Sequence, residues 1–555
     1  MSAPSGPPGH LPAKQGGHEA SNQPPPLVDY NLFEADAPLR EALEREGAGW
    51  AHGWVSELGQ LAGTEEAIAW GFQANENPPT LRTHDRFGNR IDEVDFHPAW
   101  HRLMEVAIGH GLHALPWREP RAGAHAARAA GFYVWSQVEG GHGCPVSMTY
   151  AAIPALRKQP ALAAEWEPLA TTLEYDPGLR PRATKRGVLF GMAMTEKQGG
   201  SDVRANTTRA TRTAGGEYQL TGHKWFCSAP MCDAFLVLAQ APGGMSCFFL
   251  PRVLPDGTRN EFHIQRLKDK LGNRSNASSE SELDGAVAWM VGEEGNGVRT
   301  IIEMVNHTRL DCIIGSASLM RQAVAQATHH AAHRSAFGRL LIDQPLMTNV
   351  LADLAVESEA TTVLMMRLAG ALDRGADTRE AHFRRLALAV SKYWTCKRAI
   401  PVVAEALECL GGNGYVEESI MPRLYREAPL NSIWEGSGNV NALDVLRAIE
   451  REPESVTAFM SEVEEARGSD SRLDRSIAEL KKQLSNGAAV EAGARRLVER
   501  LAVTLEGSLL VRYGDPAVAD AFCASRLGGD WGHSFGTLPP GLHAASIVQR
   551  HLPSA

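Results

Sequence analysis

The spacing of apolar residues changes twice along this chain, and these changes limit the folds open to it. Between residues 31 and 184 apolar side chains recur at helical spacing, as at Leu39 and Leu43. Between residues 187 and 292 the pattern becomes short alternations such as Tyr218-Gln219-Leu220, which predicts β-strands. Asp-Gly pairs at 256–257 and 284–285 predict turns between these strands.

Helical spacing returns after residue 297 and continues to residue 447, with Ala-rich stretches at 315–332 and 350–373 that predict antiparallel helices in a bundle. Beyond Glu450, two further groups of apolar residues mark amphipathic helices. The groups are Leu473, Ile477, Leu480 and Leu484, then Leu497, Leu501 and Leu505. We expect a mostly α, α+β fold: an N-terminal α domain, a middle antiparallel β-barrel domain, a four-helix bundle and an extra C-terminal helical domain.

A chain of 555 residues is too long for one hydrophobic core, so several domains are expected. The first residues are rich in Pro, Gly and Ser, which predicts a flexible tail. The boundaries that we place are a tail at 1–30, a helical domain at 31–186, a β domain at 187–295, a helical bundle at 296–450 and an additional helical domain at 451–555.

Composition excludes several classes of protein. A formal net charge of −10 argues against a surface that is basic throughout, so binding of nucleic acid requires a local patch. The eight cysteines lack C-x-x-C spacing, which is typical of reduced thiols in a cytoplasmic protein. No apolar run approaches the roughly 20 residues of a membrane helix.

Two ligand classes are not supported. His329, His330 and His333 have metal-like spacing, but no nearby carboxylate or cysteine completes a set, so we expect no metal. No G-x-G-x-x-G opens a helix after a strand, which argues against a nicotinamide-binding domain.

Residues 193–205 form a turn of small residues that carries the hydroxyls of Thr195 and Ser201. Such a turn binds a flavin edge or a pyrophosphate through its N–H groups, although an isolated four-residue match is more often a plain surface turn. Residues 222–228 follow at a fixed distance. They place aromatic residues beside Ser228, an arrangement suited to covering an isoalloxazine ring.

Glu435 is a lone carboxylate between Trp434 and a glycine-rich stretch. Burial beside a bulky aromatic residue would raise its pKa, which suits a general base.

Two further segments have both a plain and a functional interpretation. Residues 408–415 are either a helix end with its glycine cap or a close approach for a ligand. Arg334, near the end of a predicted helix, is either a solvated arginine or a pyrophosphate clamp.

Four of these segments, in their order and spacing along the chain, resemble the acyl-CoA dehydrogenase superfamily over residues 40 to 450. They are residues 193–205, residues 222–228, the segment around Arg334 and residues 408–415. The first family signature is matched from Ala193 to Ala205, and the second from Glu408 to Glu427. Residues 270–275 also look like the family's K-L-G-x-R-x-S strand.

The resemblance implies noncovalently bound FAD and a homotetramer, a dimer of dimers that shares its cofactor sites between chains. The implied contacts to the flavin within one subunit are Met192, Met194, Thr195, Gly200, Ser201, Phe226, Cys227, Ser228 and Trp434, with Ser437 and Asn439 at the adenosine end. The implied contacts to a neighbouring subunit's FAD are Arg334, Phe337, Gln344, Glu408, Gly411 and Gly412.

The resemblance also implies the reaction. A buried glutamate removes a proton next to a thioester carbonyl while a hydride leaves for the flavin. Glu435 matches the position of that base in most members. Other members carry the base just before an arginine on an earlier helix, where this chain has Thr308 before Arg309.

Within the superfamily the chain most resembles the AidB-like proteins of the adaptive response to DNA alkylation. The similarity lies in residues 194–203, 266–278 and 431–439 and in the extra C-terminal helices. It implies binding to double-stranded DNA, protection against alkylation and weak acyl-CoA dehydrogenase activity. Trp434 is larger than the tyrosine often found there and could fill space that an acyl chain needs. Glu408 stands where many dehydrogenases have glutamine.

DNA binding requires basic residues. Residues 451–555 hold twelve Lys or Arg against fourteen Asp or Glu, so only local clusters qualify. The candidates are Lys481, Lys482, Arg495, Arg496, Arg500 and Arg512, together with Arg447, which the resemblance implicates. The alternative is that these charges are the solvated side of amphipathic helices.

Two other functions stay open at this point. One is a fully active catabolic acyl-CoA dehydrogenase, for short or branched acyl-CoA, that passes electrons to an electron-transfer flavoprotein. The other is a flavoenzyme acting on a nitroalkane or an alkylated base, which is disfavoured because the related nitroalkane enzymes use aspartate as the base.

Overall fold

The computed structural model describes residues 21–485 and 491–553. The first twenty residues of the predicted tail lie outside these ranges. Residues 21–30 form neither helix nor strand, yet they are attached to the protein: Leu27 packs against the core and Tyr30 is buried. The Tyr30 hydroxyl donates to Gln322 Oε1 at 3.3 Å. Apolar burial therefore fixes the end of a segment whose composition predicts flexibility.

The N-terminal part of the described chain is helical, as expected, and its helices begin at recognisable caps. Asp36 and Thr64 accept hydrogen bonds from backbone N–H groups three residues on. The helices are α1 (Ala37–Arg45), α2 (His52–Ala62), α3 (Glu65–Glu76), α4 (Pro98–Gly109), α5 (Leu115–Arg118), α6 (Ala124–Ser136), α7 (Gly143–Leu156) and α8 (Pro160–Ala170).

A hairpin interrupts these helices, and the sequence patterns did not predict it. It consists of β1 (Thr80–His84) and β2 (Arg90–Asp95), paired antiparallel. The hairpin packs against the β domain, where Arg252 donates to the Asp92 carbonyl at 2.9 Å. Its strands are rich in charged residues, so their alternation carries little apolar signal.

The middle segment folds into a closed barrel, in agreement with the predicted fold. Its strands are β3 (Phe190–Ala193), β4 (Arg209–Arg212), β5 (Tyr218–Ser228), β6 (Ala234–Ala241), β7 (Gly244–Pro251), β8 (Phe262–Leu267) and β9 (Ser278–Val291). The ring runs β6–β4–β5–β9–β7 and closes on β6, while β3 pairs with β6 and β8 with β9. Most pairs are antiparallel, but β6 pairs in parallel with β3 and β4.

The two Asp-Gly pairs have different structures. Asp256–Gly257 is a turn, with Gly257 at a φ of +88°. The prediction of a turn at Asp284–Gly285 was wrong, because both residues lie inside β9. Leu220 and Thr221 of β5 face Ala286 and Asp284, so Gly285 is an extra residue in a β-bulge, with a φ of +78°. A glycine with a positive φ suits a turn and a bulge alike. The pairing of β9 with β5 makes the second pair a bulge.

Long helices follow the barrel, and the first two of them contain the Ala-rich stretches. They are α9 (Gly297–His333), α10 (Pro345–Asp373), α11 (Thr378–Cys409), α12 (Met421–Glu427) and α13 (Gly438–Arg451); a short hairpin of β10 (Ser335–Ala336) and β11 (Arg339–Leu340) connects α9 to α10. Ala317, Ala323 and Ala327 are fully buried along α9. Small side chains at these positions let α9, α10 and α11 pack closely.

The last described helices are α14 (Pro453–Glu464), α15 (Ser471–Ser485), α16 (Ala494–Tyr513), α17 (Pro516–Phe522) and α18 (Ala544–His551). They include the two predicted amphipathic helices, α15 and α16, whose predicted apolar residues are buried except for the partly buried Leu484. All of these helices except α15 pack against α10 or α11, and α15 packs against α16. In the described ranges, every helix is too short or too polar to span a bilayer.

Buried charges join the C-terminal helices to the bundle. Arg526, which follows α17, is fully buried and pairs with Asp353 at 2.5 Å and Glu357 at 2.9 Å on α10. Glu506 on α16 accepts from the indole of Trp394 at 2.9 Å, and burial raises its pKa well above the usual range. Each of these groups has left water and depends on its partners across the contact.

We expect Arg526→Met to destabilise the protein by about 3–5 kcal/mol, because it leaves the buried carboxylate of Asp353 without a counter-charge and Glu357 with Arg398 alone. Urea unfolding monitored by tryptophan fluorescence measures the change. Arg475→Met is the matched control, since Arg475 is an exposed arginine of the same helical unit and forms no ion pair with a described residue. Equal stability of the two variants would show that loss of the buried counter-charge costs little.

Candidate active site

Cations hold the loop that carries Glu435. Lys392 of α11, only 1% exposed, donates to the carbonyls of Trp434 at 2.7 Å and Gly436 at 2.5 Å. Arg309 of α9 donates to the carbonyl of Glu435 itself at 3.1 Å. Three successive carbonyls are thus fixed by two side chains. Glu435 has a φ of +57°, a left-handed conformation that is rare outside glycine and that this network maintains.

Among the described residues, the carboxylate of Glu435 has one hydrogen-bond donor, the hydroxyl of Thr308, at 2.7 Å from Oε2. Burial raises the pKa of Glu435 above its ordinary value, and the Thr308 hydrogen bond and the charges of Lys392 and Arg309 oppose that rise. A carboxylate with a raised pKa is a stronger base. The two positions at which the family keeps its base therefore meet in space, with a hydroxyl at one and the carboxylate at the other.

The backbone N–H of Glu435 has no hydrogen-bond partner among the described residues. A free N–H beside a base is a donor for a carbonyl oxygen, as in sites that stabilise an enolate. The strained loop therefore places a proton acceptor and a hydrogen-bond donor on one residue.

Trp434 lies where the Glu435 loop contacts the barrel. Its indole donates to Asn431 Oδ1 at 2.9 Å, which fixes the ring. Together with Met192 and Met194 it packs against the apolar core of the barrel. The fold thus brings the Glu435 loop next to the turn at 193–205.

Two hydroxyls of that turn remain available to a ligand. Neither Thr195 nor Ser201 donates its hydroxyl to another described residue. A Cβ on Gly200 would meet Thr195 Oγ1 at 2.7 Å, so only glycine allows this approach. The turn therefore offers free donors and a narrow backbone cradle.

A buried ion pair that the sequence analysis missed supports the turn. Glu196 and Lys224 are fully buried and 2.9 Å apart. Glu196 also accepts from the hydroxyl of Thr208 at 2.6 Å and from the backbone N–H of Thr207 at 2.7 Å. Glu196 lies in the turn and Lys224 in the following strand, β5. The sequence shows both residues, but only the folded barrel shows that they form a pair.

The three predicted flavin contacts at the end of β5 differ in their exposure and surroundings. Phe226 is half-exposed, and Lys268 lies 4.5 Å from its ring. Cys227 is buried in the barrel core, so its backbone rather than its thiol remains for a ligand. Ser228 lies 3.4 Å from the hydroxyl of Ser278 at the end of the strand.

The second predicted set lies at the far ends of the same helices. Arg334 follows Thr308 by 26 residues along α9, which corresponds to about 39 Å. Glu408 follows Lys392 by 16 residues along α11, or about 24 Å. Gln344 donates to the Ala336 carbonyl at 2.9 Å and so fixes the β10–β11 hairpin, where Phe337 is 98% exposed.

The glycine turn of this second set is open. A Cβ on Gly411 or Gly412 would meet nothing within 4 Å, and Gly411 has a φ of +58°. The backbone here is accessible to a ligand. The helices therefore hold this second set about 24–39 Å from the positions at which they contact the Glu435 loop.

The predicted basic residues divide into two groups. Arg512 is half-buried in ion pairs with Glu462 and Glu465, Lys481 pairs with Glu464, and Arg447 lies 3.4 Å from Asp444. The others make no ion pair with a described residue; they are Lys482, Arg495, Arg496 and Arg500. Because α15 and α16 run antiparallel, these four lie at one end of the pair, where Arg500 donates to Gln483 at 3.4 Å.

One of these free cations reaches the active-site loop. A Cβ on Gly438 would meet Arg495 Nη2 at 2.9 Å and Lys397 Nζ at 3.1 Å. Gly438 is three residues from Glu435. The end of the C-terminal domain therefore adjoins the loop of the candidate base.

Three family models match the chain. Residues 22–177 match the N-terminal domain of the adaptive response protein AidB, residues 191–286 the acyl-CoA dehydrogenase middle domain, and residues 295–450 the acyl-CoA dehydrogenase C-terminal domain. The chain belongs to the acyl-CoA dehydrogenase family, and within it to the AidB-like proteins. It is therefore an FAD-dependent oxidoreductase.

Similar proteins extend over nearly the whole length. AidB of Escherichia coli (strain K12) is 49% identical over 91% of this chain and 94% of its own. Acyl-CoA dehydrogenase family member 11 of Caenorhabditis elegans is 32% identical over 82% of this chain and 73% of its own. The structure of Caenorhabditis elegans ACDH-11 in complex with C11-CoA has a TM-score of 0.83 at 28% identity, covering 97% of this chain and 93% of that one.

Lys392 is a further site residue that sequence reasoning missed, besides Glu196 and Lys224. It stands alone in the apolar run Ala387-Leu388-Ala389-Val390-Ser391-Lys392, where a buried charge needs a reason. That reason is a set of backbone carbonyls in a loop more than forty residues away. The isolated lysine was a visible signal, but its partners were not.

We expect Glu435→Gln to slow single-turnover flavin reduction by an acyl-CoA about 10²- to 10⁴-fold, because glutamine accepts no proton. The rate of the unmodified protein should rise with pH through a midpoint above that of an ordinary glutamate, since the base must be ionised and its pKa is raised. Stopped-flow absorbance measures both.

Thr308→Val tests the cause of this pKa. Removal of the hydroxyl takes away a donor to the ionised form, so the midpoint should move further upward. Thr328→Val is the control, because Thr328 is a buried threonine of the same helix that donates to Val324. An unchanged midpoint in Thr308→Val would contradict the assigned role of the hydroxyl.

Proposed function

We propose that the protein is a cytoplasmic AidB-like flavoprotein that binds double-stranded DNA and protects it against alkylation, and that retains slow acyl-CoA dehydrogenase activity. One observation carries this proposal: Arg495, at the free basic end of α15 and α16, adjoins the loop of Glu435. DNA phosphates bound at that end would lie beside the flavin site. The 49% identity to AidB supports the same function.

The residues present suit FAD. The hydroxyls of Thr195 and Ser201 donate to no partner within the described ranges, and the glycines at 200 and 411–412 leave the backbone accessible. Bound FAD would supply a hydride acceptor. Thr195, Ser201 and Ser228 would hold the polar edge of the ring, Met192, Met194, Phe226 and Trp434 its apolar surroundings, and Ser437 and Asn439 the adenosine end.

The residues around Glu435 suit proton removal next to a thioester carbonyl. The carboxylate would take the proton, Thr308 would hold the carboxylate in place, and the free N–H of Glu435 would donate to the carbonyl oxygen. Lys392 and Arg309 would keep this geometry fixed through the loop carbonyls. The C11-CoA bound by the Caenorhabditis elegans neighbour supports acyl-CoA as the substrate class.

DNA binding by this protein would rest on a local patch, since the formal charge of the chain is −10. Lys482, Arg495, Arg496 and Arg500 provide cations without acidic partners among the described residues, as release of counterions from phosphates requires. Lys481 and Arg447 are weaker candidates because each has an acidic neighbour, Glu464 and Asp444 respectively, and Arg512 is better explained by its ion pairs.

The distances along α9 and α11 support assembly. Arg334, Phe337, Gln344, Glu408 and the Gly411-Gly412 turn would complete the FAD site of a second copy, because their own chain's site is about 24–39 Å away. Exposed apolar residues near them, Leu346 and Tyr415, favour burial in an interface. We infer a homotetramer built as a dimer of dimers.

The alternative is a fully active catabolic acyl-CoA dehydrogenase that passes electrons to an electron-transfer flavoprotein. The ordered network around Glu435 favours it, since a vestigial base would not need three fixed carbonyls. Trp434 favours slow activity instead, because its fixed indole occupies space between the loop and the barrel.

Trp434→Tyr distinguishes the two. If the indole restricts the acyl site, the variant should reduce its flavin with an acyl-CoA about tenfold faster, equivalent to about 1.4 kcal/mol of barrier. Stopped flow under anaerobic conditions gives the rate. Trp50→Tyr, at a half-exposed tryptophan of the N-terminal domain, is the control. A rate in Trp434→Tyr equal to that of the control would remove the restriction argument.

Arg495→Gln combined with Arg496→Gln tests DNA binding. The variant should bind duplex DNA more weakly and lower the slope of log affinity against log salt by about 2, since two phosphate contacts are lost. Fluorescence anisotropy of a labelled duplex at stepped salt measures the slope. Arg475→Gln should leave it unchanged. If the unmodified protein fails to bind duplex DNA at low salt, the DNA half of the proposal is wrong.

A further inference from the structure

The described chain begins with a segment that crosses the second set of cofactor residues. We refer to residues 22–25 as the N-terminal strap. The strap contacts both the β10–β11 hairpin and the glycine turn after α11, two elements that are separate in sequence. The residues predicted to reach a neighbouring subunit's FAD are Arg334, Phe337, Gln344, Glu408, Gly411 and Gly412, and the strap lies at the point where their two supporting elements meet.

Asn22 makes the most specific contacts of the strap. Its side-chain amide donates to the Ser335 carbonyl at 2.8 Å, and its side-chain oxygen accepts from the Ser335 N–H at 2.8 Å. Its backbone carbonyl accepts from the guanidinium of Arg334. A single residue thus pairs with both backbone groups of Ser335 and with the side chain before it.

The conformation of Asn22 requires such contacts. Its φ is +57°, a left-handed value that asparagine tolerates better than other residues with a side chain. The amide also supplies one donor and one acceptor, which pairing with a peptide unit demands. Alanine satisfies neither requirement, and glycine satisfies only the first.

The rest of the strap fixes its course. Gln23 Oε1 accepts from Asn413 at 3.2 Å, and the Pro25 carbonyl lies 2.9 Å from His329 Nε2. Leu27 then packs against the core and Tyr30 is buried. The strap is therefore anchored at its C-terminal end and connects the end of α9 with the glycine turn.

Arg334 has a charge without a counter-ion. It forms no ion pair with any residue in the described ranges. The strap carbonyl uses one of its five N–H donors and leaves the others for a ligand. A guanidinium held in a fixed orientation is suited to bidentate binding of a phosphate.

We propose that Asn22 is a positioning residue for the cofactor: it holds Arg334 and the β10–β11 hairpin so that they bind the pyrophosphate of the FAD in a second copy of the chain. This inference rests on the proposed assignment of Arg334 to a neighbouring cofactor. The strap acts through Arg334 and the hairpin backbone, and Asn22 itself need not touch the ligand.

FAD affinity of the apoprotein, measured by quenching of flavin fluorescence, tests the role of Asn22. Asn22→Gly keeps the left-handed backbone without strain and removes only the amide, so it should raise the Kd for FAD about tenfold, the effect of roughly one hydrogen-bonded contact to a charged group. Ser21→Ala, at the adjacent exposed residue, should leave the Kd unchanged.

Arg334→Ala separates the role of Asn22 from the assignment of Arg334 to the cofactor. Alone it should weaken FAD binding at least as much as Asn22→Gly, and the double variant should lose less than the sum of the two single losses, because Asn22 acts partly through Arg334. Wild-type affinity in Asn22→Gly, or additive losses in the double variant, would overturn the role of Asn22 alone. Wild-type affinity in Arg334→Ala would overturn the assignment of Arg334, and the inference with it.

Riboflavin, which has no phosphate, controls for a purely structural effect. Asn22→Gly should bind riboflavin as well as the unmodified protein does, and size-exclusion chromatography with light scattering should show the same oligomer. An equal loss of affinity for riboflavin and FAD, or a change of oligomer, would show that the strap serves folding or assembly instead of orienting Arg334.

Discussion

The buried ammonium of Lys392 is the interaction on which the arrangement of the active site depends. It has no carboxylate as a direct partner among the described residues and is held by the carbonyls of Trp434 and Gly436. A buried charge without such dipoles would be costly, so the lysine and the loop stabilise each other. The loop in turn keeps Glu435 in a left-handed conformation, with its carboxylate against Thr308. The pKa of Glu435, raised by burial and moderated by its neighbours, follows from this placement.

Buried charge recurs wherever two parts of the chain meet. Glu196 and Lys224 support the turn at the barrel end, and Arg526 with its two carboxylates joins the C-terminal helices to the bundle. Such pairs add little net stability, but they penalise every arrangement in which a partner is missing. They therefore specify how the domains fit, while apolar packing supplies most of the stability.

The long helices connect these sites and also separate them. α9 and α11 each contact the Glu435 loop at one position and end near the second set of cofactor residues at another. Rigid helices of this length give each chain two distant surfaces, which fits a cofactor shared between copies. The N-terminal strap lies on the second surface, and the basic end of α15 and α16 lies beside the first.

Local chemistry let the sequence by itself determine much of this protein: the order of helix, barrel and helix, and the amphipathic helices of the extension. It also singled out the turn at 193–205 as the candidate flavin contact and Glu435 as the candidate base. These features depend on periodicity and on short segments whose neighbours are adjacent in the chain. Only the tertiary structure decided that Asp284–Gly285 is a bulge, that Cys227 is buried in the core, that Lys392 holds the Glu435 loop and that Asn22 reaches Ser335. Each of those depends on a partner that lies tens to hundreds of residues away in the chain, and no local sequence pattern identifies such a partner.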